Sequence, residues 1–165
     1  MLVSVVAVIV IADLWQSNRE MHGLVAAVEV SEKSMVVGID LIAVPFKNFE
    51  TAVTPRERDA LLADASTQCG LAAAAVQDNG AQVTEVALLP WHRSLHKAQD
   101  AYLAHSREWQ RLFGGCATDA SKYFDKANVA QISATFRVAH RAFRRAIPFM
   151  NRDNSAAKIA TIFTD

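Results

Sequence analysis

Four prolines, Pro45, Pro55, Pro90 and Pro148, constrain the fold of this chain more than any other feature. Proline lacks an amide N–H and its ring clashes with the preceding turn, so it marks helix ends. Between the prolines, apolar residues recur at steps of three, four and seven, the spacing of a helix with one buried face. Met21, Leu24, Val28, Met35, Ile39 and Ile42 form the first such stripe, with Glu29, Glu32 and Lys33 on the other side. This places a helix from Leu14 to Val44, with Pro45 expected to end it. Thr54-Pro55-Arg56-Glu57 predicts the next start. Thr54 accepts from the third helical N–H, Glu57 reaches back to the Thr54 N–H, and Pro55 sits where a missing donor costs nothing.

Leu61, Ala65, Ala72, Val76, Val83 and Val86 supply the face of that second helix, with a candidate break at Asp78-Asn79-Gly80 and a stop at Leu89-Pro90. Trp91, Leu95, Ala98, Tyr102, Trp109 and Leu112 predict a third helix, which Gly114-Gly115 should end. A fourth begins near Thr118 or Ser121, carries Val129, Ile132, Phe136, Ala139, Phe143 and Ile147, and closes at Pro148. The tail, 151–165, has room for one or two further turns around Ile159, Ile162 and Phe163. No stretch alternates at period two for long enough to build a sheet. The expected fold is all-α. An antiparallel four-helix bundle over residues 16–150 follows from four amphipathic helices joined by short loops.

The segment MLVSVVAVIVIADLW does not fit a bundle. Its first 12 residues carry no charge. A membrane-spanning helix needs about 20 apolar residues and a signal-peptide core about 7 to 15. The length favours a signal peptide, but no Lys or Arg opens it, and Ala12-Asp13-Leu14-Trp15 is a poor cleavage site. Trp15 suits the aromatic belt at a membrane surface. We read residues 1–15 as a partial transmembrane anchor leading into the first helix, with Val3, Val6 and Val10 facing lipid or a partner. A cleaved signal and a buried helix end are the alternatives. Asp13, Asn18, Arg19 and Glu20 mark the return to water.

With 17 basic and 17 acidic residues the formal charge is zero, unlike the basic excess of a nucleic-acid binder. Cys69 and Cys116 lie in no zinc spacing. Antiparallel second and third helices would bring them together, and an oxidising location would then join them as a disulfide. Otherwise they are two buried thiols.

Signals for catalysis are absent. His92 and His96 share a helical face but lack supporting ligands and neighbour Arg93 and Lys97, so no metal site is expected and a solvated basic face is the preferred reading. His105 lies between Tyr102 and Trp109 and reads as a core or interface histidine. His22 and His140 have no evident partner in sequence. No cysteine, GxSxG or glycine-rich phosphate loop supports an enzyme, and no cofactor is implied. The strongest charge feature is RVAHRAFRRAI, in which Arg137, Arg141, Arg144 and Arg145 lie opposite Phe136 and Phe143. Such a cluster contacts lipid headgroups or an acidic partner; Arg144 and Arg145 also complement the dipole of a last helical turn.

An apolar segment leading straight into an Ala-rich helical region with WHRSLHKAQDAYLAHSREW resembles the single-pass, exported helical-bundle proteins of actinobacteria. Some of these are accessory subunits of the mammalian-cell-entry lipid transporters. The resemblance is one of layout and carries over no functional residue. It implies a non-enzymatic subunit, anchored in the cell membrane with its bundle outside, that stabilises a larger integral membrane complex. A sensory or ligand-binding bundle is the alternative, with Trp91, Tyr102, Trp109 and Phe136 lining a cleft.

Overall fold

In the computed structural model the backbone is described for residues 2–124, 126–148 and 152–163, and side chains from Ile9 onward apart from 122, 124, 125, 149–153 and the last two. The chain is all helical over this range. Its elements are α1 (Leu2–Phe49), α2 (Pro55–Thr84), α3 (Arg93–Thr118), a 3-10 segment (Ala120–Phe124), α4 (Lys126–Ala146) and α5 (Arg152–Ile162). Helices α1 to α4 pack in sequence, each against the next. Ring and polar contacts give the directions. His92 meets Glu20 and His105 meets Glu32, so α3 runs parallel to α1. Arg111 bonds Asn128 and Tyr102 meets Phe143, so α4 returns toward the start of α1. The bundle thus has the expected up-down order, with a fifth helix added.

The core is the set of stripes read from the sequence. Met21, Leu24, Val28, Met35, Ile42, Val76, Leu95, Tyr102, Phe113 and Phe143 are almost wholly buried. Val129, about half exposed, and Trp91, more exposed still, are exceptions. The Thr54 capping box forms as expected: Glu57 N–H donates to Thr54 Oγ1 at 3.2 Å, and Thr54 N–H to a Glu57 carboxylate oxygen at 2.9 Å.

Four local expectations fail. Pro45 lies buried inside α1, which continues to Phe49. Only one turn follows it, and Phe46 stacks on Tyr123 with centroids 5.6 Å apart, which holds that turn in place. Asp78-Asn79-Gly80 does not break α2. The Asn79 amide donates to the Ala75 carbonyl, and Gly80 lies where α2 approaches Ser106 of α3. Gly114-Gly115 does not end α3, because Phe113 and Cys116 on either side are anchored in the core. The residues from Ala120 to Phe124 form a 3-10 segment, so the fourth helix starts only at Lys126. The tail is also more regular than expected: α5 runs for 11 residues, and its Ile159, with Phe163 just beyond, closes the core.

Gly38 sets the closeness of α1 and α2. A Cβ built there would meet the Ala72 Cβ at 2.9 Å, whereas one at Gly114 meets nothing within 4 Å. Gly→Ala in a helix interior gains up to about 1 kcal/mol from propensity, while overpacking costs about 1–3 kcal/mol. Gly114→Ala is therefore expected to raise stability by up to about 1 kcal/mol. Gly38→Ala should lower it by about 1 kcal/mol net. Urea unfolding of the two variants checks the opposite signs.

Candidate functional site

Two polar clusters interrupt the apolar core, both between α1 and α3. The first lies where α3 begins. Glu20 is buried at 4% exposure and His92 at 8%. The His92 Nδ1 and a Glu20 carboxylate oxygen are 2.7 Å apart, and Nε2 lies 3.2 Å from Asp13. The same Glu20 oxygen accepts the Leu89 N–H, its other oxygen accepts from Gln16, and Trp91 Nε1–H donates to Asp13 at 2.7 Å. Burial opposes the charged imidazolium, but the hydrogen bonds and charges of Glu20 and Asp13 outweigh it and hold the His92 pKa above its ordinary value. Burial likewise opposes Glu20 ionisation, and the His92, Gln16 and Leu89 donors outweigh it, so Glu20 titrates low. Asp13 is lowered first by Trp91 and then by His92. Both His92 nitrogens are thus engaged, and its expected solvated setting is overturned. His96 also turns inward, its Nε2 within 3.2 Å of the Leu89 carbonyl oxygen. Glu20, expected at the return to water, is buried because α3 brings the His92 imidazole to it.

This cluster pins the start of α3 to α1. A raised imidazole contributes stability that is complete below its ordinary pKa and is lost as pH rises through the folded value. A depressed carboxylate contributes above its ordinary pKa and loses it as pH falls. The cluster therefore stabilises most in the mildly acidic range between the ordinary Glu and His values. Glu20→Gln keeps the shape and removes the charge. It is expected to cost about 1–2 kcal/mol there, with the loss shrinking as His92 deprotonates; thermal unfolding across pH checks this.

The second cluster lies deeper. His105 is 1% exposed. Thr135 donates its hydroxyl to backbone carbonyls of α4, which leaves its oxygen to accept from His105 Nδ1 at 3.1 Å. Trp109 Nε1–H donates to His105 Nε2 at 3.1 Å. Both bonds fit the neutral ring protonated on Nδ1. A Glu32 carboxylate oxygen stands 3.7 Å from the occupied Nε2. That oxygen, Ser31 Oγ and Tyr102 OH are all out of reach of solvent and close no well-formed hydrogen bond. Burial raises Glu32 to about 7, more than the neighbouring Tyr102 hydroxyl lowers it. Burial also lowers His105 to about 4. The expectation of a core histidine at 105 agrees with this setting.

Of the proposed aromatic cleft, Tyr102, Trp109 and Phe136 converge here. His105 lies 5.5 Å from Phe136, 6.1 Å from Tyr102 and 6.4 Å from Trp109, ring centre to ring centre. Trp91 does not join them; it sits on Asp13 beside the other cluster. Glu32 and Phe136 also line a groove of about 780 Å³ between α1 and α5, and a smaller pocket of about 250 Å³ against α4. Nothing in the sequence singled out Glu32, because a glutamate one position from the apolar stripe reads as surface. Its spacing of three from Met35 and four from Val28 was the available signal.

The other expected residues lie outside these clusters. Val10 and Trp15 are exposed on α1, with the Arg19 guanidinium 5.9 Å from the Trp15 ring centre. Val3 and Val6 lie outside the residues whose side chains are described. Among the described residues, no helix is long and apolar enough to cross a membrane. Arg137, Arg141, Arg144 and Arg145 are all exposed on α4, opposite the buried Ala139 and Phe143. Cys69 and Cys116 are bonded as a disulfide between α2 and α3, with Cα atoms 5.7 Å apart.

No protein-family model, curated protein or solved structure matches this chain.

Proposed function

We propose that this chain is a non-enzymatic, membrane-anchored accessory subunit whose bundle docks on a larger envelope complex. The reading rests on one observation above others. Helix α1 is 48 residues long, about 70 Å at helical rise, yet from Ile9, where its described side chains begin, none is buried before Glu20. Before it, Ile9, Val10, Ile11 and Trp15 stand 51–63% exposed. An apolar helix end left in water is costly, and a bilayer or an apolar partner removes the cost. Trp15 then lies at headgroup level, and Asp13 ends the apolar run.

Further features support the same reading. Val30, Val37, Leu41 and Val44 of α1 are exposed at steps of seven, four and three, a seam spaced for a partner helix. Helix α4 runs back toward the start of α1, which carries Arg144 and Arg145 toward the proposed membrane end. A disulfide persists in oxidising compartments, so the Cys69–Cys116 bridge favours a bundle on the extracytoplasmic side. The likeness in layout to accessory subunits of mammalian-cell-entry transporters makes an envelope lipid transporter the first partner to seek.

The test is purification at native expression in mild detergent through a C-terminal tag, with mass spectrometry of what accompanies the chain. A stoichiometric membrane complex is expected. Val10→Asp with Ile11→Asp should release the protein from membranes, since an acid inside the hydrocarbon region is costly. A protein that remains in the membrane fraction, or purifies alone, overturns the proposal.

A further inference from the structure

We propose that the exposed seam of α1 pairs with the same seam on a second copy of this chain, with the two α1 helices parallel. In this symmetric dimer each α1 lies in the groove between α1 and α2 of the other copy. The inference rests on the reading of this seam as a docking face and names what docks there; the membrane anchor plays no part in it.

The apolar part of the surface has the shape of a helix site. Val30, Val37, Leu41 and Val44 are 48–56% exposed and follow one another at steps of seven, four and three, the spacing of a coiled-coil seam. Across the groove on α2 stands Leu71, 60% exposed. Gly38, Ala72 and Ala75 line the groove between them, a hollow of about 410 Å³. Small residues there let a further helix come close, and Leu41 of a second copy fits the hollow as a knob. Aliphatic side chains left in water along one groove are costly, and a self-complementary contact removes the cost on both copies at once.

Charge selects the second copy and its direction. Lys33 lines the same groove, and Asp40 and Lys47 follow it at steps of seven along one edge of the seam. On α2, Asp64 and Asp78 flank Leu71 at the same step. In a parallel symmetric pair, that edge of α1 faces the Leu71 face of α2 in the other copy. Gly38 lies beside Ala72 and Gly23 beside Val86, so Asp64 stands at the height of Lys47, and Asp78 at the height of Lys33. Lys47 of each copy then meets Asp64 of the other, and Lys33 meets Asp78. An antiparallel pair centred on Val37 instead brings Glu29 to Asp64 and Asp40 to Asp78, and like charges so placed repel. In the parallel pair Asp40 keeps to the wet rim between the two lysines. Lys33 is shared with Glu29 at 2.6 Å, whereas Lys47 is exposed and Asp64, which accepts from Gln68 at 3.3 Å, has room for a second donor. Lys47 with Asp64 is therefore the stronger contact.

Sedimentation of the full chain in mild detergent, with no other protein present, tests this. A concentration-dependent equilibrium between monomer and dimer is expected. Leu41→Glu should weaken the dimer at least about a hundredfold, with the helical circular dichroism unchanged. Lys47→Asp and Asp64→Lys should each weaken it about tenfold, because each contact occurs twice, and the two changes together should restore it. A chain that stays monomeric, a dimer that Leu41→Glu leaves intact, or charge reversals that do not compensate each other overturns the proposal. Membrane fractionation reads the anchor separately. A dimer outside the membrane fraction supports this inference and contradicts the anchor, and a monomer within that fraction does the reverse.

Discussion

Reduction of the Cys69–Cys116 bridge is expected to lower the unfolding free energy by about 4 kcal/mol. The two cysteines are 47 residues apart, and the chain-entropy account of a cross-link closing such a loop gives this value. A domain of this size is typically stable by about 5–15 kcal/mol, so the loss is a large fraction of the whole. The position of the bridge makes the effect local as well. Helix α2 buries no residue before Ala65, and Cys69 is the next one buried, so the first turns of α2 depend on the bridge to hold them against α3. Urea unfolding with and without reductant measures the global effect, and a looser denatured chain should steepen the transition. Hydrogen exchange should show the greatest loss of protection between residues 55 and 68. Equal stability of the oxidised and reduced chains would contradict this account.

Glu32→Gln is expected to stabilise the protein at alkaline pH by about 3 kcal/mol and to leave it unchanged near the acid end. The folded-state value is about 7 against an ordinary 4.5, and one pKa unit corresponds to about 1.4 kcal/mol. A carboxyl whose pKa is raised by folding favours the folded state below the ordinary value. That advantage is lost as pH rises through the folded one. His105 has the opposite sign. Its folded value of about 4 lies below the ordinary 6.5, so stability is lost as pH falls through that range. The two losses exchange as pH changes and sum to about 3 kcal/mol throughout, so this pair gives the native protein almost no net pH dependence. Removing the acid unmasks the histidine, and the variant should become steadily more stable from about pH 4 to pH 6.5. Chemical unfolding at several pH values checks this. A variant no more stable than the parent at alkaline pH would show that Glu32 finds a donor in solution.

The two clusters explain why fold and site differ in how far sequence reveals them. Apolar spacing depends only on the helical repeat, so the stripes from Met21 to Ile42 and from Leu95 to Leu112 were readable residue by residue. Capping at Thr54 is similarly local, since its partners lie within one turn. Stops are less local. Pro45 and Gly114 have the chemistry of helix ends, but Phe46 on Tyr123 and Cys116 on Cys69 hold the backbone helical past them. Polar pairs are the least local. Glu20 and His92 are 72 residues apart, and each alone resembles a surface residue.

By itself, then, the sequence determined an all-helical chain, the order of its helices, the faces they bury, the apolar reach of α1 and the basic face of α4. All of these follow from periodicity, which a chain carries within any ten residues. Tertiary structure alone decided that Glu20 and His92 form a buried hydrogen-bonded pair, that Glu32 faces an occupied His105, and that a fifth helix lines the groove beside it. Burial and charge pairing are properties of two elements in contact, and no single helix contains them.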